Sequence, residues 1–334
     1  MNYPITKPTN AASIRCRVCD CAATSSLPIA AYAPFFRLRV DVGNDRFALY
    51  TEGTGLSVHR DRNNLAAKVA RRLARVINRF WGTGDREFLR TCVNFCSHCQ
   101  SLTLSHDYGY QDLEPLYTDY RSEKYNAERI SVEPSYRAIA TLVGQDEVER
   151  TNRNREVARF LQPFLPDRGE GLALDLGGSD GKFIPLEVSS HFFATHIVDT
   201  SDAVVSEPLR AQGVRKVPRP DAAGYSLVMC MHVLEHVGNP RQFVIDALAH
   251  MKPGGLLYLE VPLELDPRTP AQFQSRIVDQ IVPIHEHINQ FSATSLPHLI
   301  DSIGALSLLR AEHAAIDCGW TTGTVGRCLA QRVD

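Results

Sequence analysis

The amino-acid sequence predicts an α/β protein, with a mostly parallel sheet that has an antiparallel edge strand and a smaller α+β domain before it. Three observations lead to this prediction. From residue 171 onward, apolar strand-like runs alternate with helix-like segments, which is the pattern of parallel sheets. The first run, residues 172–176, leads into a glycine-rich turn of the kind that binds ligands at a strand end. Six of the nine cysteines lie before residue 100, in two clusters that mark a separate N-terminal unit.

The length and composition restrict the classes of protein that this chain can represent. Its 334 residues suggest two domains, and the 44% hydrophobic content suffices for sizeable cores. A formal charge of -2 argues against a surface that coats nucleic acid or anionic membrane, so we expect neither as a partner. No apolar run is long enough to span a bilayer, and residues 1–8 lack the apolar core of a signal peptide. The sequence therefore predicts a cytoplasmic protein.

Two C-x-x-C pairs predict a structural zinc site. Cys16 and Cys19 form the first pair, and Cys96 and Cys99 form the second. Each pair can close one knuckle on a tetrahedral ion, and four thiolates leave no open coordination position. An odd number of cysteines without an export signal argues against a disulfide framework, although four unconnected thiols are the alternative. We therefore expect these four cysteines to bind Zn²⁺. Three further residues are expected as neighbours rather than ligands: Cys21, Cys92 and His98.

The segment between the cysteine pairs predicts a small folded insert. Residues 35–42 alternate like a strand, and residues 46–50 can pair with them across a turn. Residues 64–81 predict a helix with one apolar face and one basic face. The basic face would contact phosphates or an acidic partner, or it is an ordinary solvated surface, and the near-neutral overall charge favours the second interpretation.

A tyrosine-rich connector follows the second cysteine pair. Residues 101–104 predict a short strand, and residues 147–165 predict a helix that ends near two prolines. The tyrosines between them suit a groove between domains or ordinary packing, because each combines an apolar ring with a polar tip. We divide the chain into a zinc-binding domain at residues 1–130, a helical connector at 131–170 and a third domain at 171–334.

The third domain alternates strands with helices and then closes with two adjacent strands. The predicted strands are residues 172–176, 194–199, 225–231, 255–261, 305–311 and 324–331, and the predicted helices are 182–189, 202–212, 240–251 and 292–303. Because no helix separates the last two strands, they predict an antiparallel pair at the edge of a parallel sheet.

The acids around the glycine-rich turn favour a cationic ligand. Asp175 ends the first strand and Asp180 lies in the turn, so both would repel the pyrophosphate of a dinucleotide. A ligand with amine and sulfonium groups would be attracted instead. Asp199 ends the second strand, where an acid can accept hydrogen bonds from two ribose hydroxyls. The alternative role of Asp199 is to cap the helix that follows.

Several stretches occur in a recognisable order. They are Leu174-Asp-Leu-Gly-Gly-Ser-Asp-Gly181, Asp199, Met231-His-Val-Leu-Glu-His-Val237 and Met251-Lys-Pro-Gly-Gly-Leu-Leu-Tyr-Leu-Glu-Val-Pro262. With them, residues 171–331 resemble the class I S-adenosylmethionine-dependent methyltransferases. The stretch Pro283-Ile-His-Glu-His-Ile-Asn-Gln-Phe-Ser292 is similar to a branch that acts on sugars and other small metabolites. The two C-x-x-C pairs and the connector Leu116-Tyr-Thr-Asp-Tyr120 are similar to the N-terminal part of nucleotide-sugar C-methyltransferases.

This resemblance implies a Rossmann-like class I sheet that binds S-adenosylmethionine. It also implies that Met231 and His232 lie beside the methionine part of the donor. Together with the acids and glycines of the turn, the expected donor-binding residues are Asp175, Gly177, Gly178, Ser179, Asp180, Gly181, Asp199, Met231 and His232. The chain departs from the family at Ser179, where a third glycine is usual, and at Ile284, where the sugar branch has a tyrosine as a candidate acid or base.

Methyl transfer to a hydroxyl or carbon acid requires a base that removes a proton, and histidine suits that role near neutral pH. His285 and His287 follow the fourth strand, with Glu286 between them. We expect one of the two histidines to act as the base and Glu286 to orient it. The alternative is that these residues only cap a loop. A metal site at the two histidines lacks an evident third ligand nearby.

Three functional hypotheses follow from these observations. The first is a zinc-stabilised methyltransferase that modifies a small molecule, such as a sugar or a specialised metabolite. The second is an RNA-modifying methyltransferase that uses the cysteine knuckles and the basic helix, for which the overall charge gives little support. The third is a donor-binding partner protein without catalysis, which the isoleucine at position 284 would explain. The sequence does not indicate the acceptor atom or the oligomeric state.

Overall fold

The computed structural model describes residues 14–40, 88–221, 224–264 and 281–333. These residues form two sheets. In chain order the strands are β1 (Thr24–Tyr32), β2 (Phe88–Cys96), β3 (Leu102–Leu104), β4 (Leu172–Leu176), β5 (Ala194–Val198), β6 (Val214–Lys216), β7 (Tyr225–Met231), β8 (Met251–Pro262), β9 (Ile281–Pro283), β10 (Asn289–Gln290), β11 (Leu306–Asp317) and β12 (Thr322–Arg332).

The described helices lie mainly between strands, and none of them has the length and apolar character that crossing a membrane requires. The α-helices are α1 (Pro34–Arg39), α2 (Tyr110–Tyr117), α3 (Glu123–Val132), α4 (Glu147–Leu161), α5 (Leu186–Ser189), α6 (Glu207–Arg210), α7 (Pro240–Leu248) and α8 (Ser295–Asp301), and 3₁₀ turns occur at Pro134–Ala138 and Gln162–Phe164. The predicted strand at residues 46–50 and the predicted basic helix at 64–81 lie outside the described residues.

The larger sheet has seven strands in the order β11-β12-β8-β7-β4-β5-β6. From β8 to β6 every neighbouring pair is parallel. Strand β12 is antiparallel to both of its neighbours and lies next to the edge strand β11. The predicted α/β architecture, a mostly parallel sheet with an antiparallel strand at one edge, is confirmed.

The central strands formed as predicted because they carry continuous apolar runs. Every residue of β7 is buried, as expected for a strand that has helices on both faces. Strands β4 and β7 have the predicted bounds, and β8 begins four residues earlier than predicted. Strand β6 was not predicted, because three residues carry too little periodicity to be distinguished from a loop.

Two helices beside β4 and β5 are shorter than predicted. The helix predicted at residues 182–189 begins only at Leu186, because Pro185 before it has an extended backbone. The helix predicted at 202–212 is reduced to four residues, Glu207–Arg210, with a proline at the first turn. The chain between each strand and its helix is therefore free to form turns, and these turns carry the candidate site.

The smaller sheet has five strands in the order β10-β3-β2-β1-β9. Strands β1, β2 and β3 come from the N-terminal part of the chain and pair antiparallel. Strands β9 and β10 come from residues beyond 280, and they extend the same sheet at its two edges. The segment between β9 and β10, which contains His285, Glu286 and His287, therefore lies against the N-terminal sheet.

The strand predicted at residues 35–42 is wrong over its described part, which is helix α1. Pro34 occupies the first helical position, where its fixed φ favours a helix and its missing N–H has no cost. Phe35 and Phe36 are adjacent in sequence and both are buried, which an alternating strand exposed on one face would not allow. Arg39 then forms an ion pair with Glu128 of α3, with N···O 2.6 Å.

The tyrosine-rich connector forms helices that pack on the smaller sheet. Tyr125 of α3 is fully buried, and its ring contacts the edge of Phe35 with centroids 4.9 Å apart. Tyr108, Leu113 and Leu116 belong to the same core. Ile284, at the position where a tyrosine was expected, is 3% exposed within this core. Its side chain therefore packs rather than faces a ligand.

Candidate active site and metal centre

The turn after β4 has a backbone that few residues tolerate. Gly177, Ser179 and Gly181 all have positive φ, at 76°, 50° and 79°. A Cβ atom at Gly177 would lie 2.5 Å from a methyl carbon of Val233, so only glycine fits between the β4 turn and the β7 turn. Ser179 replaces the usual third glycine in a left-handed conformation that costs a non-glycine residue some free energy.

Asp175 is buried at the end of β4, and one oxygen of its carboxyl group lacks a hydrogen-bond partner among the described residues. Its side chain is 1% exposed, and Oδ1 has no hydrogen-bond partner among the described residues. A Cβ atom at Gly178 would lie 2.1 Å from Oδ2, so that glycine lets the backbone pass beside the carboxyl group. Burial and the nearby charge of Asp199 raise the pKa of Asp175 to about 8. A buried acid of this kind gains from a cationic ligand.

Asp199 connects the first two parallel strands. Its Oδ2 accepts a hydrogen bond from the backbone N–H of Ser179 at 3.0 Å, and its Oδ1 accepts one from Ser201 at 2.7 Å. The carboxylate is therefore held beside the β4 turn, with lone pairs left for further donors. Asp180, in contrast, accepts from the backbone N–H of Lys182 at 3.1 Å and stabilises its own turn.

Met231 and His232 lie at the carboxyl end of β7, beside the same turn. Met231 is 7% exposed. His232 has φ 55°, and its N–H donates to the carbonyl of Glu260 at 2.9 Å. Burial and the charge of Arg153 lower the pKa of the His232 ring to about 4, against the opposing effect of Glu260. The ring is neutral near pH 7, and its Nε2 lies 3.5 Å from Glu260 Oε1.

The Glu260 carboxylate was not predicted from the sequence. It is 1% exposed at the end of β8 and accepts hydrogen bonds from Arg153 at 3.0 Å and from the Tyr258 hydroxyl at 2.7 Å. Arg153 comes from α4, so this buried ion pair joins the connector helix to the sheet. The sequence did contain a signal for a site residue here, because an acid near the end of an apolar strand is unusual. Its partner Arg153 lies 107 residues away, so the ion pair itself could not be predicted.

The Glu286 carboxylate, which the sequence predicts to orient a neighbouring histidine, is held by three residues of the N-terminal part. Glu286 is 7% exposed. Its carboxylate accepts hydrogen bonds from the Tyr125 hydroxyl at 2.5 Å, the Tyr120 hydroxyl at 3.1 Å and the guanidinium of Arg129. Burial opposes ionisation, but the charge of Arg129 and the hydrogen bond from Tyr125 lower the pKa of Glu286 to about 2. Glu286 therefore stays ionised and anchors its loop to α3.

The two flanking histidines point to different partners. His285 Nδ1 lies 2.9 Å from the Glu133 carboxylate, at the end of α3, and its side chain is 41% exposed. His287 Nδ1 lies 2.7 Å from Glu264 Oε1. Burial disfavours a charged ring, but the hydrogen bond and charge of Glu264 raise the pKa of His287 to about 9. The structure thus separates two residues that the sequence placed together.

Two residues of the β7 turn, Glu235 and His236, lie close to His287. Glu235, His236 and His287 each offer a ligand atom, and these atoms lie within 4.8 Å of one another. The rings of His236 and His287 meet edge to face, with centroids 4.8 Å apart. Glu235 and His236 were not predicted as metal ligands, and His285, the other histidine considered for a metal site, lies against Glu133 instead.

The four predicted zinc ligands come together in a buried cluster. Cys16 Sγ lies 3.7 Å from Cys99 Sγ, and Cys19 Sγ lies 3.7 Å from Cys96 Sγ. All four ligand atoms lie within 4.8 Å of one another, and each residue is at most 7% exposed. Sulfur atoms at about 2.3 Å from one tetrahedral ion would lie about 3.8 Å apart, so the arrangement fits Zn²⁺.

Both cysteine pairs form the same kind of knuckle. The N–H of Asp20 donates to the carbonyl of Cys16 at 2.9 Å, and the N–H of Gln100 donates to Cys96 at 2.8 Å. Asp20 and Gln100 each have positive φ, at 58° and 57°. The turn therefore reverses the chain after the second cysteine of each pair.

The cluster is also joined to the larger domain. Three hydroxyls at the start of α8 donate to the carbonyl of Cys99, at 2.9 to 3.2 Å. They belong to Ser292, Thr294 and Ser295. The cysteines share a hydrophobic core with residues of β7, β8 and α8.

Comparisons with known proteins agree with this architecture. Residues 149–305 match the family model described as a methyltransferase domain. One curated relative, a ubiquinone biosynthesis O-methyltransferase of Rickettsia akari (strain Hartford), is 47% identical over 32 residues. That match covers 10% of this chain and 13% of the relative, so the chain spans only a small part of the relative's length.

Two solved structures are similar in fold at 13% identity. The 1,6-didemethyltoxoflavin N1-methyltransferase of Burkholderia thailandensis, with bound 1,6-didemethyltoxoflavin and S-adenosylhomocysteine, has a TM-score of 0.45 and covers 71% of this chain and 98% of its own. The N-methyltransferase NodS of Bradyrhizobium japonicum WM9 has a TM-score of 0.39 and covers 57% of this chain and 99% of its own.

The family match and the strand order apply to the same part of the chain. The matched residues include β4 to β8 and the turns that hold Asp175, Asp199 and His232. Residues 149–305 therefore form a methyltransferase domain with the mostly parallel sheet of the class I fold.

Proposed function

We propose that this methyltransferase transfers the methyl group of S-adenosylmethionine to a small-molecule acceptor, such as a sugar or a specialised metabolite. The observation that carries the proposal is the pair of acids at the ends of β4 and β5. Asp175 is buried with an unpartnered oxygen, and Asp199 is hydrogen-bonded to the backbone of the β4 turn. These two carboxylates suit a ligand that has both a positive charge and ribose hydroxyls.

The proposed donor orientation follows from the order of the strand ends. Asp199 would accept the ribose hydroxyls, because its position is set by Ser179 and Ser201 rather than by a charged partner. Asp175, Met231 and His232 would lie beside the methionine part and the sulfonium. Gly177, Gly178 and Gly181 would allow the donor to approach the backbone closely. In-line displacement then requires the acceptor on the far side of the methyl carbon, toward the β7 turn.

Residues from both parts of the chain surround that acceptor position. His232 and His236 come from the β7 turn, and His287 comes from the segment between β9 and β10. The Tyr117 hydroxyl of α2 lies 2.8 Å from His236 Nδ1, so the N-terminal part closes the site. Several polar groups in a partly buried site suit an acceptor with hydroxyl groups. His287 or His285 remains the base expected from the sequence, and Glu264 holds Nδ1 of His287.

We further propose that Zn²⁺ bound by Cys16, Cys19, Cys96 and Cys99 has a structural role. Four buried thiolates leave no open position for a substrate. All nine cysteines are free thiols in the structure, which suits a reducing compartment such as the cytoplasm.

Calorimetry with S-adenosylmethionine and S-adenosylhomocysteine tests the proposed function. The intact protein should bind both, and Asp199→Ala should lose about 100-fold or more in affinity, because two hydrogen bonds to a charged acceptor disappear. Asp202→Ala is the matched control, since Asp202 is an exposed acid three residues away, and it should bind normally. A wild-type protein with no affinity for either compound would contradict the proposal.

A further inference from the structure

We infer that Glu235, His236 and His287 form a second metal site, which binds a divalent transition-metal ion and presents it to the oxygen atoms of the acceptor. The inference deepens the proposed function and rests on it for the identity of the acceptor. It does not involve the four cysteines. The three ligands come from the β7 turn and from the segment between β9 and β10, where the two sheets meet.

The distances are close to those of a bound ion. His236 Nε2 lies 3.8 Å from Glu235 Oε1, and all three ligand atoms lie within 4.8 Å of one another. Ligand atoms at about 2.1 Å from a tetrahedral ion lie about 3.4 Å apart. The present separations of up to 4.8 Å therefore exceed that spacing by about 1.4 Å at most.

The hydrogen bonds of both rings are made through Nδ1, so Nε2 is the nitrogen left to bind a metal when the ring is neutral. His236 Nδ1 lies 2.8 Å from the Tyr117 hydroxyl and 3.3 Å from the carbonyl of Glu286. His287 Nδ1 lies 2.7 Å from the carboxylate of Glu264. A carbonyl and a carboxylate accept the Nδ1 proton, and this sets the tautomer whose Nε2 binds a metal. Outer contacts of this kind orient metal-bound histidines in known sites.

The unpartnered carboxylate of Glu235 is the observation that indicates a bound cation. The residue is fully buried, and neither carboxylate oxygen has a hydrogen-bond partner among the described residues. Two ring nitrogens approach the carboxylate at distances longer than hydrogen bonds, His232 Nδ1 at 3.4 Å and His236 Nε2 at 3.8 Å. A buried carboxylate without partners is unfavourable, and a cation at the centre of the three ligands would satisfy it.

The ligand set indicates the kind of ion and its use. Two imidazoles and one carboxylate suit zinc, iron(II), cobalt or manganese, and they are too poor in oxygen for calcium. Three protein ligands leave coordination positions open, whereas the four cysteines leave none. The His287 side chain is 30% exposed, so an ion and an acceptor oxygen can reach the cluster from solvent.

The ion would activate an acceptor hydroxyl for methyl transfer. A metal-bound hydroxyl loses its proton more readily, and the proton leaves to solvent. The oxygen's electron pair then forms the new bond to the methyl carbon. The pair of the breaking carbon–sulfur bond stays on sulfur, and S-adenosylhomocysteine leaves as a neutral thioether. The site thus selects an acceptor with an oxygen atom that can bind a cation.

Cobalt(II) added to the full chain, with zinc already bound at the four cysteines, tests the site by its absorption spectrum. Cobalt at the cysteines gives thiolate charge-transfer bands in the near ultraviolet, and cobalt at the inferred site gives only weaker visible bands. We expect one equivalent of cobalt to bind with visible bands alone, and azide to shift these bands because a position is open. Glu235→Gln and His287→Asn should each weaken the binding by about 10- to 100-fold, and Glu264→Gln by about 10-fold.

His313→Asn is the matched control, because His313 is an exposed histidine bonded to the carbonyl of Ala293, and it should bind cobalt normally. If Glu235→Gln does not fold, the partly exposed His287 still provides the test. Unchanged cobalt affinity in His287→Asn, or no visible bands in the wild type, would overturn the inference. Calorimetry with S-adenosylhomocysteine on the same samples separates a failure of this site from a failure of the proposed function.

Discussion

The cysteine cluster and the crevice beside the β7 turn both gather groups that bind cations, but only the cluster satisfies them internally. Each cysteine lies near other thiols, and hydroxyl groups contact Cys99 from its own knuckle and from α8. In the crevice, Asp175, His232 and Glu235 are buried or partly buried with side-chain atoms that have no hydrogen-bond partner among the described residues. Unpaired buried groups destabilise a fold, so they persist where a ligand completes them.

The two regions also differ in how the chain builds them. The cluster consists of two tight knuckles, each specified by four consecutive residues. The crevice collects single side chains from the ends of β4, β5, β7 and β8 and from the segment after β9. A local turn can be recognised in a sequence, whereas a set of strand ends becomes a site only after the sheet has formed. The cluster should therefore determine stability, and the crevice should determine binding.

Removal of one cluster ligand should have the largest effect. Cys96→Ser leaves three thiolates for the ion, and binding of a structural zinc ion contributes about 10 kcal/mol or more in small domains. We expect the variant to lose its zinc and to unfold at a much lower temperature, by 10 °C or more as an order of magnitude. Metal analysis and thermal unfolding followed by circular dichroism measure the two effects.

Cys21→Ser is the control for this experiment. Cys21 follows the first knuckle and is half-buried, but its thiol is not one of the four ligand atoms. Its zinc content should equal that of the wild type. Retention of full zinc content by Cys96→Ser would show that the cluster is not the metal site and would remove the difference between the two regions.

The four cysteines come together as predicted for a physical reason. Knuckle residues are close in sequence, and thiol pairs at this spacing have few other uses in a chain without disulfides. The parallel sheet was predictable for a similar reason, because buried strands such as β7 are continuous apolar runs. The strand expected at residues 35–42 failed because its alternation was weaker than the effect of Pro34, which starts a helix.

The second prediction concerns Asp175 and the pH dependence of stability. Its pKa is about 8 in the folded protein and 3.8 ordinarily, so folding above pH 4 requires proton uptake at this carboxyl. The resulting loss of stability grows as the pH rises to about 8 and is constant above that value. Asp175→Asn removes this loss. Relative to the wild type, the variant should therefore gain on the order of 3 kcal/mol between pH 5 and pH 8.5.

Urea unfolding at a series of pH values measures this difference in the absence of donor. Asp180→Asn is the control for loss of a carboxylate from the same turn, because the Asp180 side chain is 32% exposed. An Asp175→Asn curve that runs parallel to the wild type at every pH would show that Asp175 is not an unsatisfied acid. The crevice would then resemble the cysteine cluster, in that the protein itself satisfies its polar groups.

The role of Glu286 could not be predicted, because its partners are far away in sequence. Tyr125 and Arg129 precede it by 161 and 157 residues, and no local pattern connects them. The sequence placed three titratable residues side by side, but the chain bends at His285 and Glu286, and their side chains have different partners. His287 faces the crevice with Glu235, while Glu286 faces the N-terminal core.

The third and smallest effect should come from Glu286→Gln. Removal of one partner of a buried ion pair costs about 3–5 kcal/mol when the other charge is left alone. Arg129 keeps a second partner, Glu133, at 3.0 Å, so we expect a smaller loss of about 2 kcal/mol in urea unfolding. Affinity for S-adenosylhomocysteine should stay the same. The described hydrogen bonds of the Glu286 side chain go to Tyr120, Tyr125 and Arg129, which lie in α3 or just before it.

Glu123→Gln, at the exposed start of α3, is the matched substitution of an acid that has no buried partner, and it should change stability by a few tenths of a kcal/mol at most. If Glu286→Gln retained full stability but lost methyl transfer to an accepted substrate, the carboxylate would act in catalysis. Loss of stability with retained turnover by the folded fraction would instead show that Glu286, like the cysteine cluster, holds the two sheets together. Glu235, His236 and His287 would then be the residues of this contact that act in the reaction.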